Sequence, residues 1–219
     1  VFEDLNNNGL QDVGESGISN VSVQLLRDDD NNGLIDGAEA TNIIATDNTD
    51  GQGNYFFGDL PAGNYAIRIP TGNFTGSGAL LNLPVSSTDI GTSGGDNNFD
   101  GDDNGLQSGG AGTVAQSVVV TLTGGSEPED GVGAGTETGQ GADQDNALDA
   151  NGNMTVDFGF FAPVSVGDYV WNDFNNNGLQ DGGEVGVPGI TVRIYDADTD
   201  TEVTQDVFGN ALPPQVTDA

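Results

Sequence analysis

Three stretches of the chain carry oxygen-bearing side chains at the same intervals: DLNNNGLQDVGE from Asp4 to Glu15, DDDNNGLIDGAE from Asp28 to Glu39, and DFNNNGLQDGGE from Asp173 to Glu184. In each, Asp, Asn or Glu fills the first, third, fifth, ninth and twelfth places, and a glycine stands sixth. This is the spacing with which a loop wraps a calcium ion: glycine permits the sharp turn, the seventh residue offers its backbone carbonyl, and the final glutamate binds through both oxygens. The ligands implied are Asp4, Asn6, Asn8, Leu10, Asp12 and Glu15 in the first loop, and Asp28, Asp30, Asn32, Leu34, Asp36 and Glu39 in the second. The third supplies Asp173, Asn175, Asn177, Leu179, Asp181 and Glu184.

Solvated acidic turns are the alternative, since Asp, Asn and Gly are also ordinary turn residues. Three full matches in one chain favour the ion, and calcium over magnesium, which demands a tighter octahedron and keeps its waters. Asp100, Asp102 and Asn104 begin the same pattern, but Ser108 and Ala111 stand where the ninth and twelfth ligands belong. That site would need a distant carboxylate such as Asp143, Asp145 or Asp149, and a simple flexible loop is the equal alternative. Asp196, Asp198 and Asp200 also alternate, without the turn glycine or the closing glutamate, and read as a hairpin.

Composition points the same way. Thirty-five acidic residues stand against three basic ones, all arginine, for a net charge of -32. Such a chain has no basic patch for a nucleic-acid backbone. The absence of cysteine and histidine removes disulfides, thiolate metal sites and the usual general base. All-oxygen chemistry toward a hard cation remains. Carboxylates lie everywhere, yet nothing marks a catalytic pocket, so the chain reads as non-enzymatic.

The elements that must hold these loops are strands. NVSVQLL, NYAIRIP, AQSVVVTLT and NMTVDFGFF alternate in the way of half-buried β-structure. The pattern predicts strands over 18–27, 42–47, 53–58, 63–70, 113–122 and 153–161, with a further one around Ala79–Val85. Two Gly/Asp/Asn-rich stretches, 86–112 and 124–152, have no periodicity. No apolar run is long enough to span a membrane as a helix. Residues 1–28 align without a gap with 170–197, which marks one module written twice. Modules are expected over 1–163, lacking the start of its first strand because VGDY precedes Val170 but nothing precedes Val1, and over 164–219, the opening part of the next.

The residues after each loop separate the candidate families. SGISNVSVQLL and VGVPGITVRIY alternate like strands, and Pro188 and Gly189 exclude the helix that would come after a true EF-hand loop. The chain resembles the calcium-binding SdrD B-like repeats, of the Cna-B group, found in serine-aspartate-repeat surface adhesins. The resemblance is carried by SVGDYVWNDFNNNGLQDGGEVGVPGITVRIYD, by TDGQGNYFFGDLPAGNYAIRIP, and by NMTVDFGFF closing the module. It implies an all-β fold, immunoglobulin-like (Cna-B/prealbumin-like) sandwiches in tandem, an extracellular or cell-surface location, and a calcium-stiffened stalk. Relatives that lock their sandwiches with a lysine–asparagine cross-link differ here, because this chain has no lysine. Calcium is then the evident staple.

The preferred functional reading is a structural module of an extracellular fibre, stalk or adhesin. Its partners are further copies of itself or adjacent tandem modules, with no nucleic acid and no membrane span in this segment. The loops at Asp4 and Asp28 should lie near opposite ends of the sandwich and stiffen both joints. The alternative is a calcium-dependent module that grips a glycan or host protein through exposed loop aromatics, with Phe74, Phe99 and Phe208 as candidates, although an aromatic packed under its own loop is the favoured reading of each.

Overall fold

The computed structural model describes residues 1–87, 99–130, 136–139, 151–197 and 199–218. The chain falls into two compact units, Val1–Pro163 and Val164–Ala219. Unit 1 is built from β1 (Phe2–Glu3), β2 (Ser22–Arg27), β3 (Ala45–Asn48), β4 (Gly63–Ile69), β5 (Val85–Ser86) and β6 (Phe99–Asp100), then β7 (Ala115–Gln116), β8 (Val120–Leu122), β9 (Glu129–Asp130), β10 (Thr136–Gly139) and β11 (Gly159–Phe161). Unit 2 holds β12 (Thr191–Val192), β13 (Tyr195–Asp196), β14 (Thr201–Glu202) and β15 (Gln215–Val216). The described helices are two single 3-10 turns, Glu39–Thr41 and Thr71–Phe74. The fold is all-β.

In unit 1 the main sheet runs β3-β2-β4-β7, with β8 also paired to β4. A second sheet runs β1-β11-β5, β1 lying parallel to β11 in the register Phe2↔Gly159. Strand alternation sends Val21, Val23 and Leu25 from β2 and its approach, and Tyr65, Ile67 and Ile69 from β4, to one face. Phe158 and Phe160 meet them from the second sheet. Phe74 packs edge-on against Phe160 with ring centroids 5.6 Å apart. Each such fully buried side chain contributes about 1.5–3 kcal/mol relative to exposure.

A polar side chain ties the Thr71–Phe74 turn to the start of β2. Asn73 is buried, accepts the Ser22 N–H through Oδ1 at 2.8 Å, and donates through Nδ2 to the Ser22 carbonyl at 2.8 Å and the Pro70 carbonyl at 3.1 Å. Replacing it strands the Ser22 amide and carbonyl out of water. Asn73→Ala is expected to lower stability by about 1–2 kcal/mol, read as a shift in the urea midpoint with unchanged slope.

Several predicted strands differ in the structure. Residues 53–58 form no ladder, because side chains take the local backbone donors: Asp50 Oδ1 accepts the amides of Gln52 and Asn54 at 2.8 and 2.9 Å, and Asp47 Oδ2 accepts that of Phe56 at 2.9 Å. Only Val85–Ser86 survives of the stretch around Ala79–Val85, which otherwise continues from the Thr71–Phe74 turn in further turns. Strand 113–122 is interrupted at Ser117, whose hydroxyl accepts the Ile67 amide at 3.0 Å in place of a ladder carbonyl. Strand 153–161 is reduced to β11.

The Asp50 turn sets a pH dependence. Backbone amides of Asn54 and then Gln52 hold its carboxyl below the ordinary 3.8. A folded value below the unfolded one stabilises at all pH above the unfolded value, and that stabilisation is lost as pH falls through the folded one. The stability difference between wild type and Asp50→Ala should therefore be constant above about pH 5 and shrink below pH 4, as acid titrations of urea midpoints would show.

Unit 2 repeats part of this plan. Thr217 Oγ1 accepts the Ile190 amide at 3.0 Å and donates to the Val187 carbonyl at 2.6 Å, as Thr49 does with Val21 at 2.9 Å and Ile18 at 2.6 Å. The inward positions differ in cover. Ile190, Val192 and Ile194 are 41%, 43% and 45% exposed, whereas Val21, Val23 and Leu25 in unit 1 are at most 1% exposed.

Candidate metal loops

All three loops curl in the same way through the seventh place, and the second differs at its closing glutamate. In the first, Asp4 Oδ2 accepts the Gly9 amide at 2.8 Å, Asn6 Oδ1 that of Asn8 at 3.0 Å, and Asn8 Oδ1 that of Leu10 at 2.9 Å. Glu15 closes the circle: Oε1 accepts the Leu5 amide at 2.7 Å and Oε2 that of Asp12 at 2.8 Å. In the third loop the corresponding bonds run from Gly178 to Asp173 (2.8 Å), Asn177 to Asn175 (3.0 Å) and Leu179 to Asn177 (2.7 Å). Glu184 there accepts the amides of Phe174 at 3.0 Å and Asp181 at 2.9 Å. Asn7, Asn31 and Asn176, the fourth residues, take φ of 54°, 57° and 57°, and the sixth-place glycines Gly9, Gly33 and Gly178 take 75°, 80° and 75°. This left-handed backbone turns the odd-numbered side chains inward, and it suits Asn and Gly.

The second loop concentrates charge most. Carboxylate oxygens of Asp28, Asp30 and Glu39 all lie within 4.8 Å of one another. Glu39 Oε1 accepts the amides of Asp29 at 2.7 Å and Asp30 at 3.2 Å, while its Oε2 is buried without a hydrogen-bond partner. Asp28 is buried, with Oδ2 accepting the Gly33 amide at 2.9 Å. Lost solvation pushes the Asp30 carboxyl above its ordinary value, against the Asn32 amide that lowers it, and the carboxylates of Glu39 and Asp28 push it up further. At Asp173 in the third loop the amide of Gly178 dominates and the carboxyl is lowered. Asn32 and Asp36 approach through Asn32 Nδ2 at 3.4 Å from Asp36 Oδ2, and the Leu34 amide donates to Asn32 Oδ1 at 2.8 Å. Among the described residues the convergence of three carboxylates belongs to the second loop, whereas in the first and third the Asn side chains donate through Nδ2 to Asp12 and Asp181.

Surroundings distinguish the loops. The first is docked on the Asp100–Asn104 segment: Gln11 N–H donates to the Gly101 carbonyl at 2.7 Å, Asp103 N–H to the Gly9 carbonyl at 2.9 Å, and Leu10 bridges Asp102. Asp4 is fully buried there. Asp100, Asp102 and Asn104 are buried too, but Asn104 Oδ1 accepts the Asp157 amide at 2.7 Å, so this side chain pins the segment to the strand leading into β11. Asp143, Asp145 and Asp149 lie outside the described residues. Sequence reading missed the neighbouring Asp103, whose Oδ1 accepts the amides of Gly105 at 2.9 Å and Gly159 at 3.1 Å. Gly159 is distant in the chain, so no local signal marks this role.

β2 separates loops one and two. Residues 15–18, which lead toward β2, pair back along Val1–Glu3, so the first loop opens off its start, while Asp28 lies just past its end. Its six residues span about 20 Å.

The remaining candidates fall out differently. Asp196 and Asp200 belong to the β13–β14 hairpin, in which Asp196 Oδ1 accepts the Thr199 amide at 2.8 Å; Asp198 lies outside the described residues. Of the aromatics, Phe74 is in the core, in line with the packed reading, and is removed as a candidate ligand contact. Phe99 is half-buried in β6 and Phe208 is 52% exposed.

Comparisons with known proteins match regions that hold all three loops. The family model for the SdrD B-like domain matches residues 1–80 and 164–210. Serine-aspartate repeat-containing protein D of Staphylococcus aureus (strain Newman) is 30% identical over 259 aligned residues, covering 90% of this chain and 19% of that protein. Serine-aspartate repeat-containing protein F of Staphylococcus epidermidis (strain ATCC 12228 / FDA PCI 1200) is 31% identical over 220 residues, covering 100% of this chain and 9% of that protein. The chain thus spans less than a fifth of these relatives. With the repeated loop, the β2-type strand behind it and the match in both units, the chain belongs to the SdrD B-like domain family.

Proposed function

We propose that this chain is a structural, non-enzymatic segment of a cell-surface or extracellular adhesin or fibre, in which calcium held by the three loops stiffens tandem β-sandwich modules. The observation that carries the reading is the second loop. Three carboxylates converge within 4.8 Å, and one oxygen of Glu39 is buried with nothing to bind it. Such an arrangement is electrostatically unfavourable by itself and is relieved by one divalent ion. Placing the first two loops at opposite ends of β2 suits a module that passes stiffness along its length to the modules on either side. One module then corresponds to unit 1, residues 1–163, and unit 2 belongs to a second module. Among the described residues no helix is long and apolar enough to cross a membrane, and three arginines against thirty-five acidic residues offer no surface for nucleic acid.

Calorimetric titration of the intact chain tests this. Three calcium ions should bind, with dissociation constants of about 0.1–1 mM as is usual for extracellular modules, and magnesium should bind more weakly. No calcium heat up to ten times that concentration would overturn the reading.

A further inference from the structure

Among the described residues Arg68 is the one arginine of the three outside the ion pairs, which join Arg27 to Asp29 and Arg193 to Glu202. It sits in β4 opposite Gln24 of β2, on the face turned away from the main core. Its guanidinium forks. Nε donates to Gln116 Oε1 at 2.8 Å, and Nη1 reaches the Ala40 carbonyl at 2.8 Å, a residue of the 3-10 turn Glu39–Thr41. That turn packs on β2. Asn64, four residues earlier on the same face of β4, holds the other end of the loop: its Nδ2 donates to Asn31 Oδ1 at 3.0 Å, and its carbonyl accepts the Asp28 amide at 3.0 Å. The second loop is therefore laid across the outer face of the sheet and fastened at head and tail. Beneath it Leu26 and Ala66, paired in register, are fully buried although strand alternation points them away from the main core.

We propose that Arg68 is the positioning residue of the second loop: by anchoring Ala40 to β4 and Gln116 it holds the closing turn so that Glu39 faces Asp28 and Asp30 before an ion arrives. This rests on the calcium reading for the ion but not for the clamp. A fork fits the task because its two donors lie in one plane at a fixed spacing, so Gln116 orients the group that grips the turn. A cation here also offsets the repulsion of the loop it serves, without occupying the ion's place. Loops one and three have no such contact from Arg68, so its effect is confined to loop two.

The test uses the full chain with Arg68→Met and Arg68→Lys. Each loop carries a glycine at its sixth place, so amide resonances of Gly9, Gly33 and Gly178 report calcium at each loop separately. Arg68→Met should weaken calcium binding reported by Gly33 about tenfold, leaving Gly9 and Gly178 unchanged. In the metal-free chain it should also speed hydrogen exchange at Ala40, Thr41 and Asn42, whose amides close the turn onto Asp36, Ala38 and Glu39. Arg68→Lys keeps the charge without the fork and should show the same pattern in smaller degree; it carries the test should Arg68→Met unfold. Unchanged exchange at 40–42 in both variants, or equal weakening at all three glycines, would overturn the proposal. Faster exchange at 40–42 in a chain whose wild type binds no calcium would sink the calcium reading and leave the clamp standing.

Discussion

Adding a chelator to the calcium-loaded chain is expected to destabilise unit 1 by about 5 kcal/mol, because each of its two loops, saturated at a hundred times its dissociation constant, contributes about 2.7 kcal/mol if the sites are independent. For a domain of this size that is a shift of roughly 10–20 °C in melting temperature. The loss should be uneven within the unit. Both loops are tied to the frame by bonds that need no ion, the first through Gly101 and Asp103 and the second through Asn64 and Arg68, but among the described residues it is the second in which three carboxylates crowd within 4.8 Å of one another. Hydrogen exchange without calcium should therefore rise first across 28–44 and only later across 4–15. The third loop lies in unit 2, where the inward positions Ile190, Val192 and Ile194 are part-exposed, so the ion there adds to a weaker frame. Melting curves and scattering radii that ignore the chelator at neutral pH would refute the stiffening role.

Glu15→Gln, Glu39→Gln and Glu184→Gln are expected to weaken calcium binding at their own loops by about tenfold to a hundredfold, roughly 1.4–2.8 kcal/mol. The amide carries no charge and offers one acceptor oxygen where the carboxylate offers two equivalent ones. In the metal-free chain the same glutamates bond to the backbone at Leu5 and Asp12, at Asp29 and Asp30, and at Phe174 and Asp181. An amide oxygen keeps one of the two contacts at Glu15 and Glu184 and can keep both at Glu39, where one oxygen accepts the two amides, so the fold should survive the change. Substitution at the eighth places, Gln11→Ala, Ile35→Ala and Gln180→Ala, removes no oxygen from the loop interior and should alter affinity less than twofold. Gln11→Ala keeps the backbone N–H that donates to the Gly101 carbonyl. Equal losses from the two sets in a site-resolved titration would show that the ligand register is misassigned.

Much of this was legible in the residues because it is local. Asparagine at the fourth place and glycine at the sixth mark where the backbone of each twelve-residue loop turns left-handed, a local preference that needs no distant partner. Alternation likewise specified β2 and β4, since period-two burial needs no knowledge of the partner strand. The family could be read from the order of these local signals.

Tertiary structure decided what lies between them. The hydrophobicity of Tyr55, Phe56 and Phe57 reads as a strand, yet Asp47 and Asp50 take the backbone amides that a ladder would need, a competition visible only once the turn has formed. Phe74 reads either as a ligand contact or as an aromatic packed under its own loop, and the tertiary structure decides for burial against Phe160, because the Thr71–Phe74 turn folds over the core. The repeat fades from the sequence after Arg27, but Thr217 reproduces the bonds of Thr49, since a single hydroxyl suffices to pin the start of the strand. The supports under each loop were equally hidden: Gly101 and Asp103 under the first, Asn64 and Arg68 under the second. These contacts join residues far apart in the chain. Their partners are chosen by how strands stack rather than by any interval along the sequence, so loops of nearly one sequence are set in three different environments.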